Sequence, residues 1–302
     1  MSPIGYFSII RRKCKMRFQS FIHAKQLEGL RKKILYHYAQ HPVVDAEINE
    51  ALAHIEKHKL SAFFGDFQKK YNANEVAVHS DSSNGLPYVV ADGKKLYFKR
   101  SQNKRTIQLL FNGLRTEQDS QCPHCYTDHD FFVEEGDTLA DIGCAEGNFT
   151  LMNIETLKKA YLFEQDPEWR EALEATFAPW KEKVQIIPKY VSDTDSETEV
   201  SLDSFFAEKE DRPNFFKIDV EGAEGRVLEG MSGLMLQDKL KMALCTYHNQ
   251  GDFDAFSRYF AQTDFKFKPN PGVMIFLNDL ETLQAPFFRK CLIKAWRQGQ
   301  KT

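Results

Sequence analysis

The run Phe215-Phe216-Lys217-Ile218 leads into three carboxylates, Asp219, Glu221 and Glu224, with Gly222 among them. Like charges so close repel one another, and folding alone has no use for them there. A ligand that is cationic, rich in hydroxyls or due to lose a proton does. A second stretch of this kind is Thr138-Leu139-Ala140-Asp141-Ile142, which passes into Gly143-Cys144-Ala145-Glu146-Gly147 before Asn148 opens a helical run. Strand, glycine loop and helix form the crevice at the carboxyl ends of strands where α/β sheets take ligands, and glycine permits a close backbone approach. The spacing is Asp-x-Gly-x-x-x-Gly, with Ala145 where the dinucleotide fingerprint has its middle glycine. Glu146 would also repel a pyrophosphate, whereas S-adenosylmethionine carries an ammonium, a sulfonium and no phosphate. The loop predicts S-adenosylmethionine bound by Asp141, Gly143, Ala145, Glu146, Gly147 and Asn148, and argues against a nicotinamide oxidoreductase.

Further residues extend this site. Ala160-Tyr161-Leu162-Phe163 ends at Glu164, placed to accept both ribose hydroxyls of an adenosine. Asp166-Pro167 reads as a helix cap and first turn rather than a ligand contact. Ser192 and Asp193, after the third strand, either meet the adenine amino group or simply begin a polar loop. Methyl transfer to a hydroxyl requires the acceptor to lose its proton, and His248 is the first candidate base, its ordinary pKa near 6.5 suiting the task. Asp219 could orient His248, bind the acceptor or act as base, and Glu221 could do the same or hold sugar hydroxyls. Glu224 reads as structural, complementing a helix dipole. A divalent ion on Asp219, Glu221 and a neighbour is the less favoured alternative, and no metal is expected.

These positions need elements to hold them. Residues 1–75 carry helical spacing, Leu27, Leu30, Ile34 and Leu35, then Ile48, Leu52 and Ile55, broken by His41-Pro42. Residues 76–100 turn to strand character, with Asp92-Gly93 between Tyr88-Val89-Val90 and Leu96-Tyr97-Phe98 predicting a hairpin. From about 138, apolar runs at 139–142, 160–163, 184–187, 214–220 and 241–247 alternate with helical segments, which predicts an α/β fold whose parallel sheet has helices on both faces. Phe265-Lys266-Phe267 and Val273 to Leu277 lie too close for a crossover and are expected to pair antiparallel. Phe287, Phe288, Cys291, Leu292, Ala295 and Trp296 recur at helical spacing and predict a C-terminal helix over 281–302.

Asp141-Ile-Gly-Cys-Ala-Glu-Gly147, Phe163-Glu164, Ser201-Leu202-Asp203, Lys217-Ile-Asp-Val-Glu-Gly-Ala-Glu224 with Val227-Leu228-Glu229-Gly230, and Tyr247-His248 together resemble the FkbM-type methyltransferase family. The likeness covers about residues 130–280, and its Ile-Asp-Val-Glu-Gly-Ala-Glu piece is the specific one. It implies a class I methyltransferase Rossmann-like sheet of five parallel strands closed by an antiparallel hairpin. It also implies O-methylation of hydroxyls on sugars, glycans or secondary metabolites. The expected organisation is a helical region at 1–75, a hairpin and connector at 76–130, the methyltransferase domain at 131–280 and the final helix. Cys144 and Ala145 depart from the family's loop, but both are small and leave a donor pocket open. The alternative is a non-catalytic or N- or C-methylating relative that binds a partner through residues 1–130.

Composition narrows the rest. A net charge of −3 gives no general pull toward nucleic acid, and none is expected as a partner. Six scattered cysteines suit a reduced, cytoplasmic protein, and no apolar stretch reaches the ~20 residues of a membrane span. The first 33 residues hold nine basic side chains against one acid, Glu28, so peripheral membrane contact is a secondary expectation beside a solvated helical face. Cys122-Pro123-His124-Cys125, with His129 nearby, looks like half a zinc knuckle. The chain has no second Cys-x-x-Cys, so a lid over the substrate path is expected instead.

Overall fold

A computed structural model describes residues 24–277, 280 and 283–297 of the chain. It divides into two compact units, Met1–Gly65 with Gly272–Arg289, and Asp66–Pro271 with Lys290–Thr302. The basic stretch before residue 24 lies outside the described residues. Among the described residues no helix is long and apolar enough to cross a membrane.

In the first unit, α1 spans residues 24–40 and α2 spans Ala46–Lys57. The break at His41-Pro42 falls between them, and the Asp45 carboxylate caps α2 by accepting from the amides of Glu47 and Ile48. The predicted helical spacing gathers Leu30, Ile34 and Ile55 into one core, shared with Val273, Ile275 and Phe287. The segment after Pro271 therefore does not form the expected hairpin. Met274 bridges Arg289, and the Ile275 amide donates to the Ala62 carbonyl.

The second unit opens with a small antiparallel sheet, β1 (His79–Ser80), β2 (Pro87–Ala91) and β3 (Lys94–Tyr97), with Asp92-Gly93 at the predicted turn. Helix α3 (Lys104–Glu117) is capped by Asn103. There follow β4 (Thr138–Ile142), α4 (Asn148–Asn153), β5 (Lys159–Phe163), α5 (Pro167–Phe177), β6 (Val184–Ile187), the paired β7 (Tyr190–Val191) and β8 (Glu199–Val200), and α6 (Leu202–Phe206). The chain continues through β9 (Phe215–Ile218), α7 (Glu224–Glu229), β10 (Leu240–Cys245), α8 (Asp252–Ala261), β11 (Lys266–Pro269) and β12 (Leu292–Arg297).

The main sheet has the order β11-β12-β10-β9-β4-β5-β6. The five predicted parallel strands are β6, β5, β4, β9 and β10; β4, β9 and β10 are buried along their whole length, while β6 lies at the edge with Gln185 exposed. The antiparallel pair that closes the sheet is β11 with β12, and β12 also pairs antiparallel to β10. The expected C-terminal helix is thus a strand, fully inside the sheet from Leu292 to Ala295.

One packing point is testable directly. A Cβ at Gly230 would stand 2.0 Å from the Ser192 carbonyl oxygen, because the end of α7 presses on the loop after β7. Backbone on both sides leaves little room to relax. Gly230→Ala is expected to destabilise the fold by about 1–3 kcal/mol, read as a lower denaturation midpoint; an unchanged midpoint would show that this contact opens freely.

Candidate active site

The glycine loop is held from beneath by buried charge. Lys217, on β9, donates to the Gly143 carbonyl at 2.6 Å and lies 3.2 Å from Asp141 Oδ1, and Thr150 donates to Asp141 Oδ2 at 2.7 Å. Burial alone would depress the Lys217 pKa; the charges of Asp141 and Asp219 more than reverse that and leave it raised. Gly143 has φ 71°, and a Cβ there would fall 2.1 Å from the Asp219 carbonyl oxygen, so β4 and β9 can end side by side only with glycine at this position. Ala145 (φ 47°) and Glu221 (φ 58°) are non-glycine residues in the left-handed region, and both line the adjacent cleft. Such strain gathers at functional sites.

That cleft has a volume of about 570 Å³, within the size of small-molecule sites. Gly143, Ala145, Glu164, Trp169, the exposed Tyr190, Asp219 and Glu221 are among the residues that line it. Glu164 is fixed by the amides of Ala145 at 3.1 Å and Asp166 at 2.8 Å. Burial raises its pKa in spite of those donors. Beneath the loop a smaller cavity of about 100 Å³ joins Glu146, Asn148 and Glu117 to Tyr126, Lys217 and Asp219. Burial pushes Glu146 up to about 7.

Where the two cavities meet, Asp219 is the centre of a dense polar cluster. Tyr126 donates to its Oδ2 at 2.7 Å and Tyr247 to its Oδ1 at 3.1 Å, while His248 Nε2 lies 3.5 Å away. Burial would raise the Asp219 pKa, but Lys217, His124, His248 and the Tyr126 hydroxyl together hold it at about 2. Its ionised form is favoured, which makes it a weak proton acceptor beside His248. His248 Nδ1 lies 2.7 Å from Glu224 Oε1, and since a carboxylate can only accept, Nδ1 carries the proton. Burial by itself lowers the His248 pKa; the Glu224 hydrogen bond and the charges of Asp219, Glu224 and Glu221 more than compensate and leave it raised.

The predicted residues therefore divide. Gly143, Ala145, Glu164 and Glu221 line the large cleft; Asp141, Glu146 and Asn148 line the inner cavity; Asp219 belongs to both. His248 stands beside Asp219 rather than on the cleft wall. Gly147 lines neither cavity: it is packed under Leu173 and Phe177 of α5, where a Cβ would meet Leu173 at 2.7 Å. Ser192 is buried and donates to Asp193, which pairs with Arg226 at 2.7 Å; Arg226 lines the cleft, and neither Ser192 nor Asp193 is among the residues that do. Asp166 caps α5 as expected, yet it also lines the cleft and holds Lys99. Glu224 is more than a dipole partner, because its Oε1 accepts from both the Val220 amide and His248. His124, seen in the sequence only as part of a half zinc knuckle, and Tyr126, not singled out there, reach Asp219 from the segment before β4; their signal was the unusual density of polar and sulfur side chains from Cys122 to Tyr126.

The Methyltransferase FkbM domain matches residues 66–268, well over half of the chain. Among solved structures the chain is similar to a methyltransferase FkbM from Methylobacillus flagellatus, at 14% identity and a TM-score of 0.41, covering 64% of this chain and 54% of that one. It thus spans about half the length of that protein. It is also similar to an rRNA methylase from Streptococcus thermophilus, at 14% identity and a TM-score of 0.38, covering 56% of this chain and 90% of that one. A Streptococcus mutans protein in complex with SAH is similar at 14% identity and a TM-score of 0.36, covering 54% and 90%. None of the curated proteins matches the sequence. The chain belongs to the FkbM methyltransferase family.

Proposed function

We propose that the protein transfers a methyl group from S-adenosylmethionine to a hydroxyl of a sugar, glycan or secondary metabolite. The observation that carries this reading is the His248–Glu224 pair beside Asp219, which itself lines a cleft large enough for the donor. The lining suits that donor: Glu164 is fixed by two amides and keeps lone pairs for ribose hydroxyls, while Trp169 and Tyr190 offer aromatic faces. Glu146 in the inner cavity suits an ammonium. The acidic walls, with Glu164, Asp166, Asp219 and Glu221, disfavour a pyrophosphate. When bound, the donor supplies an electrophilic methyl on its sulfonium. The chain's own task is to take the acceptor's proton. His248 Nε2 receives it, Glu224 holds the ring through Nδ1, and the ionised Asp219 faces the imidazolium that results.

Calorimetric titration with S-adenosylmethionine and SAH, with NAD as control, tests the donor. Binding is expected for the first two only, weakened at least about tenfold in Glu164→Gln through loss of charge-assisted hydrogen bonds. NAD binding, or no binding of either methionine-derived ligand to the folded protein, overturns the reading. Donor affinity should also depend on pH. Glu146 is neutral below about 7 and gains its charge above it, facing Glu117 of α3 and Lys217 of β9. The dissociation constant is therefore expected to fall severalfold from about pH 6 to about pH 8, and this dependence should vanish in Glu146→Gln.

A further inference from the structure

Three ligating side chains from separate parts of the fold converge next to the proposed acceptor position. Cys245 ends β10, Asp219 follows the neighbouring strand β9, and His124 enters from the segment before β4. His124 Nε2 lies 3.8 Å from Asp219 Oδ2 and 3.9 Å from Cys245 Sγ, and all three ligand atoms fall within 4.8 Å of one another. His124 and Cys245 are buried.

The imidazole–carboxylate separation exceeds the roughly 2.7–3.2 Å of a hydrogen bond. A tetrahedron with metal–ligand bonds of about 2.0–2.3 Å has edges of roughly 3.3–3.8 Å. The His124–Asp219 and His124–Cys245 separations, 3.8 and 3.9 Å, stand at or just above the top of that range, so a small contraction would bring the three ligand atoms to it. Their supports are also in place. Tyr126 and Tyr247 orient the Asp219 carboxylate from opposite oxygens. The turn carrying His124 is closed by the Cys125 amide on the Cys122 carbonyl, and buried Asn270 grips the carbonyls of Pro123 and Cys125 at 3.1 and 2.7 Å. Outer contacts of this kind fix ligand orientation in metal sites.

We propose that His124 Nε2, Asp219 and Cys245 Sγ bind one transition-metal ion of the zinc class and leave its fourth position open. Three protein ligands with a vacant place is the pattern of catalytic rather than structural zinc. A sulfur ligand selects zinc, cobalt or ferrous iron over magnesium and calcium. Binding breaks the Cys245 S–H bond and forms a sulfur–metal bond, and the proton leaves to solvent. Water fills the fourth place until an acceptor hydroxyl displaces it, and the ion then lowers the pKa of that hydroxyl. This last role rests on the hydroxyl-methylation reading; the ion site itself does not.

The full chain, stripped with chelator, would be titrated with cobalt(II) chloride and followed by absorption. One ion per chain is expected, with a thiolate-to-cobalt charge-transfer band in the near ultraviolet and the intense visible bands of four-coordinate cobalt. Cys245→Ser should lose the charge-transfer band and His124→Ala should weaken uptake at least about tenfold, while Cys122→Ser keeps both. Circular dichroism confirms that each variant is folded. Folded wild type without the bands overturns the proposal, as does a charge-transfer band that survives in Cys245→Ser. Donor calorimetry in the presence of chelator reports on the methyltransfer reading separately, so either can fail alone.

Discussion

His248→Gln is expected to slow methyl transfer by about 10²–10⁴-fold and to leave donor affinity close to that of the unaltered protein. Glutamine fills much the same space and keeps a polar contact to Glu224, but it cannot take a proton. Because His248 does not line the cleft, the loss should fall on kcat while the donor's KM stays put. Glu224→Gln should give a smaller loss, since the ring keeps its basic nitrogen and only its orientation loosens. Labelled methyl transfer to the best acceptor from a panel of hydroxylated compounds measures both. A loss of less than about tenfold in His248→Gln would move the base elsewhere.

Lys217→Met is expected to cost about 3–5 kcal/mol of stability and to lower Tm by roughly 6–20 °C. Methionine replaces the aliphatic stem well, so packing is not the reason. The loss comes from Asp141, whose carboxylate is buried and would keep only the Thr150 hydroxyl as its neutral partner. The Gly143 carbonyl would also lose its donor. Adding Asp141→Leu should recover a good part of the stability, because removing a buried pair together is far less costly than removing one member. If the double variant is no more stable than the single one, repulsion of an unpaired carboxylate is not the cause.

The central parallel strands were legible because they are buried on both faces and so read as largely apolar runs, as in Ala160-Tyr161-Leu162-Phe163, while β6 at the edge is less buried. The same property concealed β12. Leu292-Ile293-Lys294-Ala295-Trp296 lacks alternation, and with Phe287, Phe288 and Cys291 before it the apolar positions fall at helical spacing. Lys294 is buried against Asp128 at 2.8 Å, so a charge within the run does not mark an exposed face. The hairpin partner was misassigned because Val273 to Leu277 is the next apolar run in sequence, whereas that segment belongs to the core of α1 and α2. At the site, Glu164 and Asp219 were readable from their places at strand ends. The link from Glu224 to His248 and that from His124 to Cys245 were not, because each joins residues more than twenty positions apart. Spacing rules that look for a second Cys-x-x-Cys cannot see a ligand supplied by another strand.

The placement of β12 has a consequence for the order in which the protein can assemble as it is synthesised. The chain leaves the sheet at β11, contributes residues 272–289 to the other unit, and only then returns with Leu292–Arg297. Until that return, β10 has a bare edge and β11 has no neighbour in the sheet, since β12 lies between them. An emerging chain must keep the edge of β10 from pairing wrongly until Leu292–Arg297 have left the ribosome, because unpaired strand edges are prone to aggregate. The matched domain at 66–268 stops short of that strand. A polypeptide ended there would carry every residue of the donor cleft and still lack the strand that seals the sheet beside Cys245.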